Sequence, residues 1–151
     1  MTPDATIAIL KRAPLVGSFE DEALRVIANV ADARRLRSGE TLFRQGDRSD
    51  GGYVVMAGEI AVGREGDDAN AVRLGAGALI GEVALFVRMQ RPATATAREA
   101  SAVLRISPTL IKRVLQEFPA AADEMMQVLS RDLDAMAAGL TSVEKLFAPE
   151  R

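Results

Sequence analysis

One stretch of this 151-residue chain gathers residue types able to do chemistry: Gly81-Glu82-Val83-Ala84-Leu85-Phe86-Val87-Arg88-Met89-Gln90-Arg91-Pro92-Ala93-Thr94. Gly81 and Glu82 lead into apolar residues that read as a short helix, and Arg91 follows about two helical turns later, at the head of a strand. The first N–H groups of a helix have no partner inside it and lie at the positive end of its dipole, so an anion fits there. Arg91 can close over that anion with a planar, multi-donor guanidinium. Glu82 repels the same anion but can accept hydrogen bonds from neutral hydroxyls beside it. An anion, a hydroxyl and small residues that permit close approach together describe a sugar phosphate.

The absences narrow the chemistry further. The chain has no cysteine and no histidine. Disulfides, thiolate nucleophiles, iron–sulfur clusters, the commonest zinc ligand and the commonest general base are therefore out of reach. No paired carboxylates, nucleophile–base pair or metal cluster is evident, so neither an enzyme nor a metal or cofactor protein is expected. Hydrophobic residues make up 48%, charged residues 26% and aromatic residues 4%, with a net charge of −2. This balance carries no signal for nucleic acid or an anionic membrane. No apolar run is long enough to span a bilayer, and Met1-Thr2-Pro3-Asp4 is not a signal peptide. A cytoplasmic location is the expectation.

The pattern along the chain divides it at residues 1–32, 33–107 and 108–151. Thr6–Lys11 reads as a short amphipathic helix ending before Pro14. Ser18 is the expected N-cap of a second helix, with Leu24, Ile27, Val30 and Ala31 on its apolar face. From Ala33 to Ser107 short strands alternate with turns: around Leu36, at Thr41–Arg44, Tyr53–Met56, Ile60–Val62, Val72–Leu74, Ala78–Ile80, Ala93–Arg98 and Val103–Ile106. Gly66-Asp67-Asp68-Ala69-Asn70 reads as a polar hairpin tip. Many short strands at regular spacing predict a mainly β fold, an antiparallel barrel or jelly roll flanked by helices. Arg34, Arg35 and Arg37 read as a solvated strand face, and Glu40 and Glu59 as turn residues.

Gly81-Glu82-Val83-Ala84-Leu85, with Arg91 nine residues after Glu82 and Ala93-Thr94 close behind, resembles the phosphate-binding cassette of cyclic nucleotide-binding domains. Two upstream segments in the same order strengthen the resemblance: Arg37–Asp47 is similar to the family's first hairpin and Gly52–Ile60 to its second. The resemblance implies a double-stranded β-helix and a cassette over residues 81–94. It assigns the ribose 2′-hydroxyl to Glu82, and the cyclic phosphate to Arg91 and the amides of Val83 and Ala84. Gly81, Pro92, Ala93 and Thr94 complete the implied ligand set. One residue departs from the pattern. The family usually has Ala, Ser or Thr after the arginine, with an N–H that reaches the phosphate, whereas Pro92 has none. The implied ligand is cyclic AMP, with cyclic GMP as the alternative, because Pro92 lacks the hydroxyl often found there in cyclic GMP-selective relatives.

Ser107-Pro108 opens a helix in the favoured way, and Leu110, Ile111, Val114 and Leu115 form its buried face. The following helix carries Met126, Leu129, Leu133, Met136, Leu140, Val143 and Phe147 at alternating spacings of three and four, a heptad seam. Two readings stay open: the helix lies on its own barrel, or it forms a two-fold dimer or binds a partner protein. Gly139, followed by Thr141-Ser142-Val143-Glu144 at capping-box spacing, marks a possible break. The resemblance further implies an apolar lid over the base, for which Leu140, Leu146 and Phe147 are candidates. The residues after Phe118 leave no room for a helix-turn-helix module. The expectation is a stand-alone receptor signalling through the C-terminal helix, or a barrel of the same kind kept as an interaction module after losing its nucleotide.

Overall fold

The computed structural model describes residues 2–137, with side chains as far as Arg131. Eight short strands run in the order β1 (Asp32–Leu36), β2 (Thr41–Phe43), β3 (Gly52–Ala57), β4 (Ile60–Gly63), β5 (Val72–Leu74), β6 (Leu79–Ile80), β7 (Thr94–Ala97) and β8 (Ser101–Ile106). They form two four-stranded antiparallel sheets, ordered β1-β8-β3-β6 and β2-β7-β4-β5. The fold is thus a jelly roll of two sheets, not a closed barrel.

The alternation of side chains explains the composition of the strands. In β3, Tyr53 and Val55 enter the core between the sheets, whereas Val54 and Met56 enter a second core under the helices. Both faces are covered, so Gly52–Ala57 reads as a continuous apolar run rather than an alternating one. In β7 only one face is covered: Ala95 and Ala97 point inward, while Thr94 and Thr96 are half-buried.

Four helices cover the outer face of the first sheet: α1 (Pro3–Leu10), α2 (Asp21–Val30), α3 (Pro108–Glu117) and α4 (Pro119–Ala137). α1 begins before the expected Thr6 because the Thr2 hydroxyl accepts a hydrogen bond from the Ala5 amide at 3.2 Å and Pro3 suits the first turn. α2 departs from expectation at its start. Ser18 does not cap it: Val16–Ser18 form a separate 3-10 turn, and the Ser18 hydroxyl donates to the Leu15 carbonyl at 3.2 Å. Phe19 must enter the helical core, so it stays extended and separates that turn from the helix. Leu24 and Ile27 are fully buried, but Val30, at the helix end, is 50% exposed.

α4 packs onto the same core through Ala121 and Met125, with Val128 and Leu129 partly buried. Met126, the first residue of the expected seam, is 65% exposed. The described part of the helix therefore turns an Ala121–Met125 stripe, not the seam, toward its own domain, and Leu129 belongs to both. The side chains of Leu133 and Met136, and all of Gly139, Leu140, Thr141 to Glu144, Leu146 and Phe147, lie outside the described residues. Among the described residues, no helix is long and apolar enough to cross a membrane.

Candidate ligand-binding site

A cavity of about 640 Å³ opens between the second sheet and the segment joining β6 to β7. That volume is ordinary for a small-molecule site. Gly81, Glu82, Val83, Ala84, Arg91, Pro92 and Ala93 line one side. Val62, Val72 and Leu74, from β4 and β5, supply an apolar wall opposite. The structure therefore brings together seven of the eight site residues expected from the sequence. Thr94 is the exception. Its hydroxyl donates to Glu65 Oε2 at 3.1 Å and accepts from the Gln45 amide at 2.9 Å, so it ties the β4–β5 hairpin to the β2 corner.

The cassette begins with a sharp turn. Gly81 has φ +81°, a left-handed conformation that suits glycine, and a Cβ built there would stand 2.8 Å from Arg91 Nη1. The expected helix is only a 3-10 turn, Val83–Leu85. The Ala84 amide donates to the Gly81 carbonyl at 3.1 Å to close that turn. An anion at this amide must share it with the carbonyl or displace it. Phe86 keeps helical dihedrals and the Val87 amide still donates to the Val83 carbonyl at 3.2 Å; after it a hairpin-like contact from the β2–β3 loop takes over. The Arg91 amide donates to the Asp47 carbonyl at 2.7 Å, and the Arg91 carbonyl accepts from Gly46 at 2.8 Å. Buried Ser49 exchanges two more bonds with Met89: its amide donates to the Met89 carbonyl at 2.7 Å, and its hydroxyl accepts from the Met89 amide at 2.9 Å.

Arg91 is only 3% exposed, which for an arginine demands partners. Its guanidinium carbon lies 4.1 Å from the Phe43 ring centroid, a cation–π distance. Nη2 donates to the Gly51 carbonyl at 2.7 Å and to Asp50 Oδ1 at 3.1 Å. Nε is buried and has no protein partner. Burial lowers the Arg91 pKa, against the raising effect of Tyr53 and Asp50, and an arginine remains protonated regardless. Asp50 is the hub behind it. Besides Arg91 it meets Arg34 Nη2 at 3.3 Å and accepts from the Tyr53 hydroxyl at 3.0 Å, while its carbonyl accepts from Arg105 Nη1 at 2.7 Å. Burial raises the Asp50 pKa, but the Tyr53 hydrogen bond and the charges of Arg34, Arg105 and Arg91 outweigh it and hold the carboxyl below its ordinary value. The same surroundings push Tyr53 up to about 12, through burial first and then Asp50.

Phe43, Ser49, Asp50 and Tyr53 do not announce this role in the sequence. Asp50-Gly51-Gly52 reads only as a loop, and nothing local shows that it folds back behind an arginine forty-one residues later. The one usable signal is the pair of glycines after Asp50, which let the backbone come close: a Cβ at Gly52 would stand 2.8 Å from the Leu85 side chain.

The site is thus a lateral cavity in a jelly roll, with a buried arginine at its wall and a glycine-initiated turn beside it. The chain belongs to the cyclic nucleotide-binding domain family, whose model matches residues 33–118, more than half its length. Among solved structures it is similar to the N-terminal domain of a transcriptional regulator from Streptomyces coelicolor, with TM-score 0.78, 28% identity, and coverage of 87% of this chain and 94% of that one. A cyclic nucleotide-binding-like protein from Brucella abortus is 37% identical, with TM-score 0.64 and coverage of 74% and 97%. The regulatory subunit of cAMP-dependent protein kinase from Yarrowia lipolytica is 28% identical over 101 residues, 67% of this chain. The chain spans only 26% of that relative's length.

Proposed function

We propose that this chain is a cytoplasmic cyclic nucleotide receptor that prefers cyclic AMP and passes occupancy on through α4, to a second copy or a partner protein. The observation that carries this reading is Arg91: a buried guanidinium at the cavity wall, stacked on Phe43, with Nε lacking a protein partner and Nη1 beside Gly81. In the proposed complex the cyclic phosphate takes these donors together with the Val83 and Ala84 amides, and Glu82 accepts from the ribose 2′-hydroxyl. The base lies along Val62, Val72 and Leu74. The preference for cyclic AMP is supported by Pro92, which brings no hydroxyl to the cavity, and by the resemblance to cAMP-dependent regulatory subunits. Signalling is a population shift: phosphate engages Nε and Nη1 of Arg91, the cassette turn tightens, and α3 and α4 repack on the helical core.

A second reading has specific support. Arg91 is already paired with Asp50, the Ala84 amide is already used, and Pro92 has no N–H, which together fit a domain that has lost its nucleotide and serves interaction alone. Isothermal titration with cyclic AMP and cyclic GMP separates the two. Micromolar or tighter binding that disappears in Arg91→Ala supports the receptor. No heat and no thermal shift at millimolar nucleotide refutes it.

A further inference from the structure

The conventional cassette leaves a charge problem in this protein. Two arginines, Arg64 and Arg91, and two acids, Asp67 and Glu82, line the cavity, and Asp50 holds Arg91 from behind. Asp50 is itself balanced by Arg34 and Arg105, so the charged lining of the cavity is two of each sign and carries no net positive charge for an anionic ligand. Without Arg64 that lining would be negative by one, facing a ligand that is itself negative. Pro92 deepens the deficit by removing a backbone donor from the phosphate side.

The strand register shows where Arg64 stands. The ladder pairs Val62 with Ala95 and Gly63 with Thr94 on one side of β4, and Val62 with Val72 on the other. β4 ends at Gly63; carried one residue further toward β7 and two toward β5, the same register sets the Arg64 backbone beside Ala93 and opposite Asn70. Arg64 sits in the bend just past the end of β4, and Val62, Arg64, Ala93 and Asn70 all line the cavity. Ala93 is small and adjoins Pro92, so Arg64 enters the cavity lining on the same side as the position where Pro92 lacks an N–H. The hairpin that carries Arg64 is held in place from outside the cavity. Glu65 bonds Arg44 Nη1 and Thr94 Oγ1, each at 3.1 Å, and the Glu65 amide donates to Gln45 Oε1 at 3.1 Å.

We infer that Arg64 is a second phosphate-binding cation, supplied by the β4–β5 hairpin in place of the amide lost at Pro92, and that Glu65 and Thr94 position it. This inference rests on the receptor reading and adds to it a residue outside the cassette.

Three proteins test it: the unaltered chain, Arg64→Gln and Arg64→Lys, each titrated with cyclic AMP at low and high salt, with Arg91→Ala as reference. Arg64→Gln is expected to bind roughly twofold to fivefold more weakly, the effect of one exposed charge pair. Arg64→Lys should recover most of the loss. Added salt should weaken the unaltered chain more than Arg64→Gln, because less charge remains to be screened. If the unaltered chain binds and Arg91→Ala does not, but Arg64→Gln binds normally, the inference is wrong and the receptor reading stands. Equal losses in Arg64→Gln and Arg64→Lys also overturn it, since charge is then not the cause. If the unaltered chain binds no nucleotide, both fall.

Discussion

Two glycines with the same backbone strain but different surroundings allow the arginine's role in binding to be separated from its role in folding. Gly81 has φ +81° and Gly39 has φ +86°, so alanine at either position must hold a left-handed conformation. That costs about 1–2 kcal/mol, or roughly 2–8 °C of melting temperature for a chain of this size. The two sites then diverge. A Cβ at Gly39 meets nothing within 4 Å, whereas one at Gly81 stands 2.8 Å from Arg91 Nη1. Arg91 cannot easily give way, because Nη2 is fixed to the Gly51 carbonyl at 2.7 Å and its ring partner Phe43 lies at 4.1 Å. In the proposed complex the displaced Nη1 would lose a charge-assisted bond to the phosphate, about 1.5–3 kcal/mol, which is about tenfold or more in affinity. Gly39→Ala should therefore melt lower but bind cyclic AMP like the unaltered chain, while Gly81→Ala should melt lower and bind at least about tenfold more weakly. Thermal melting and isothermal titration of both variants decide it. Normal binding by Gly81→Ala, or equal weakening in both, would refute the assignment of Nη1 to the ligand.

The Asp50 hub makes further measurable claims. Tyr53 is the only tyrosine in the chain, so phenolate absorbance reports it alone. Its midpoint should lie near 12 in the folded protein and near 10 in denaturant. Because the folded value is raised, the stability it contributes is present below about pH 10 and is lost as pH rises toward the folded midpoint. For Asp50 the sign is opposite: its folded pKa is depressed, so its stabilisation is present above the unfolded value of about 4 and is lost as pH falls through the folded value. Asp50→Asn should thus melt lower than the unaltered chain at pH 7, with the gap closing under acid, and a gap that persists at pH 2 would contradict the charge network. Ser107 accepts from the Leu110 amide at 3.1 Å at the start of α3. Ser107→Ala should cost about 1 kcal/mol by chemical denaturation without altering nucleotide affinity.

What was legible in the sequence was local. Strand alternation, turn glycines and the Ser107-Pro108 cap depend on neighbours in the chain, and so do the spacing from Glu82 to Arg91 and the departure at Pro92; these gave a mainly β fold with its cassette in place. Ser18 shows where local signals mislead. A good capping residue was overruled because Phe19 had to reach the helical core. The heptad pattern behaved similarly at its first member, since the packing of Ala121 and Met125 turned Met126 outward. Tertiary structure alone decided what stands behind the site. Only the closing of the two sheets sets Phe43 under Arg91, brings Asp50 across forty-one residues to pair with it, and turns Thr94 from the cavity toward Glu65. A side chain's chemical type is written in its own codon, but its partners are fixed by register and loop closure, which no short window of sequence contains.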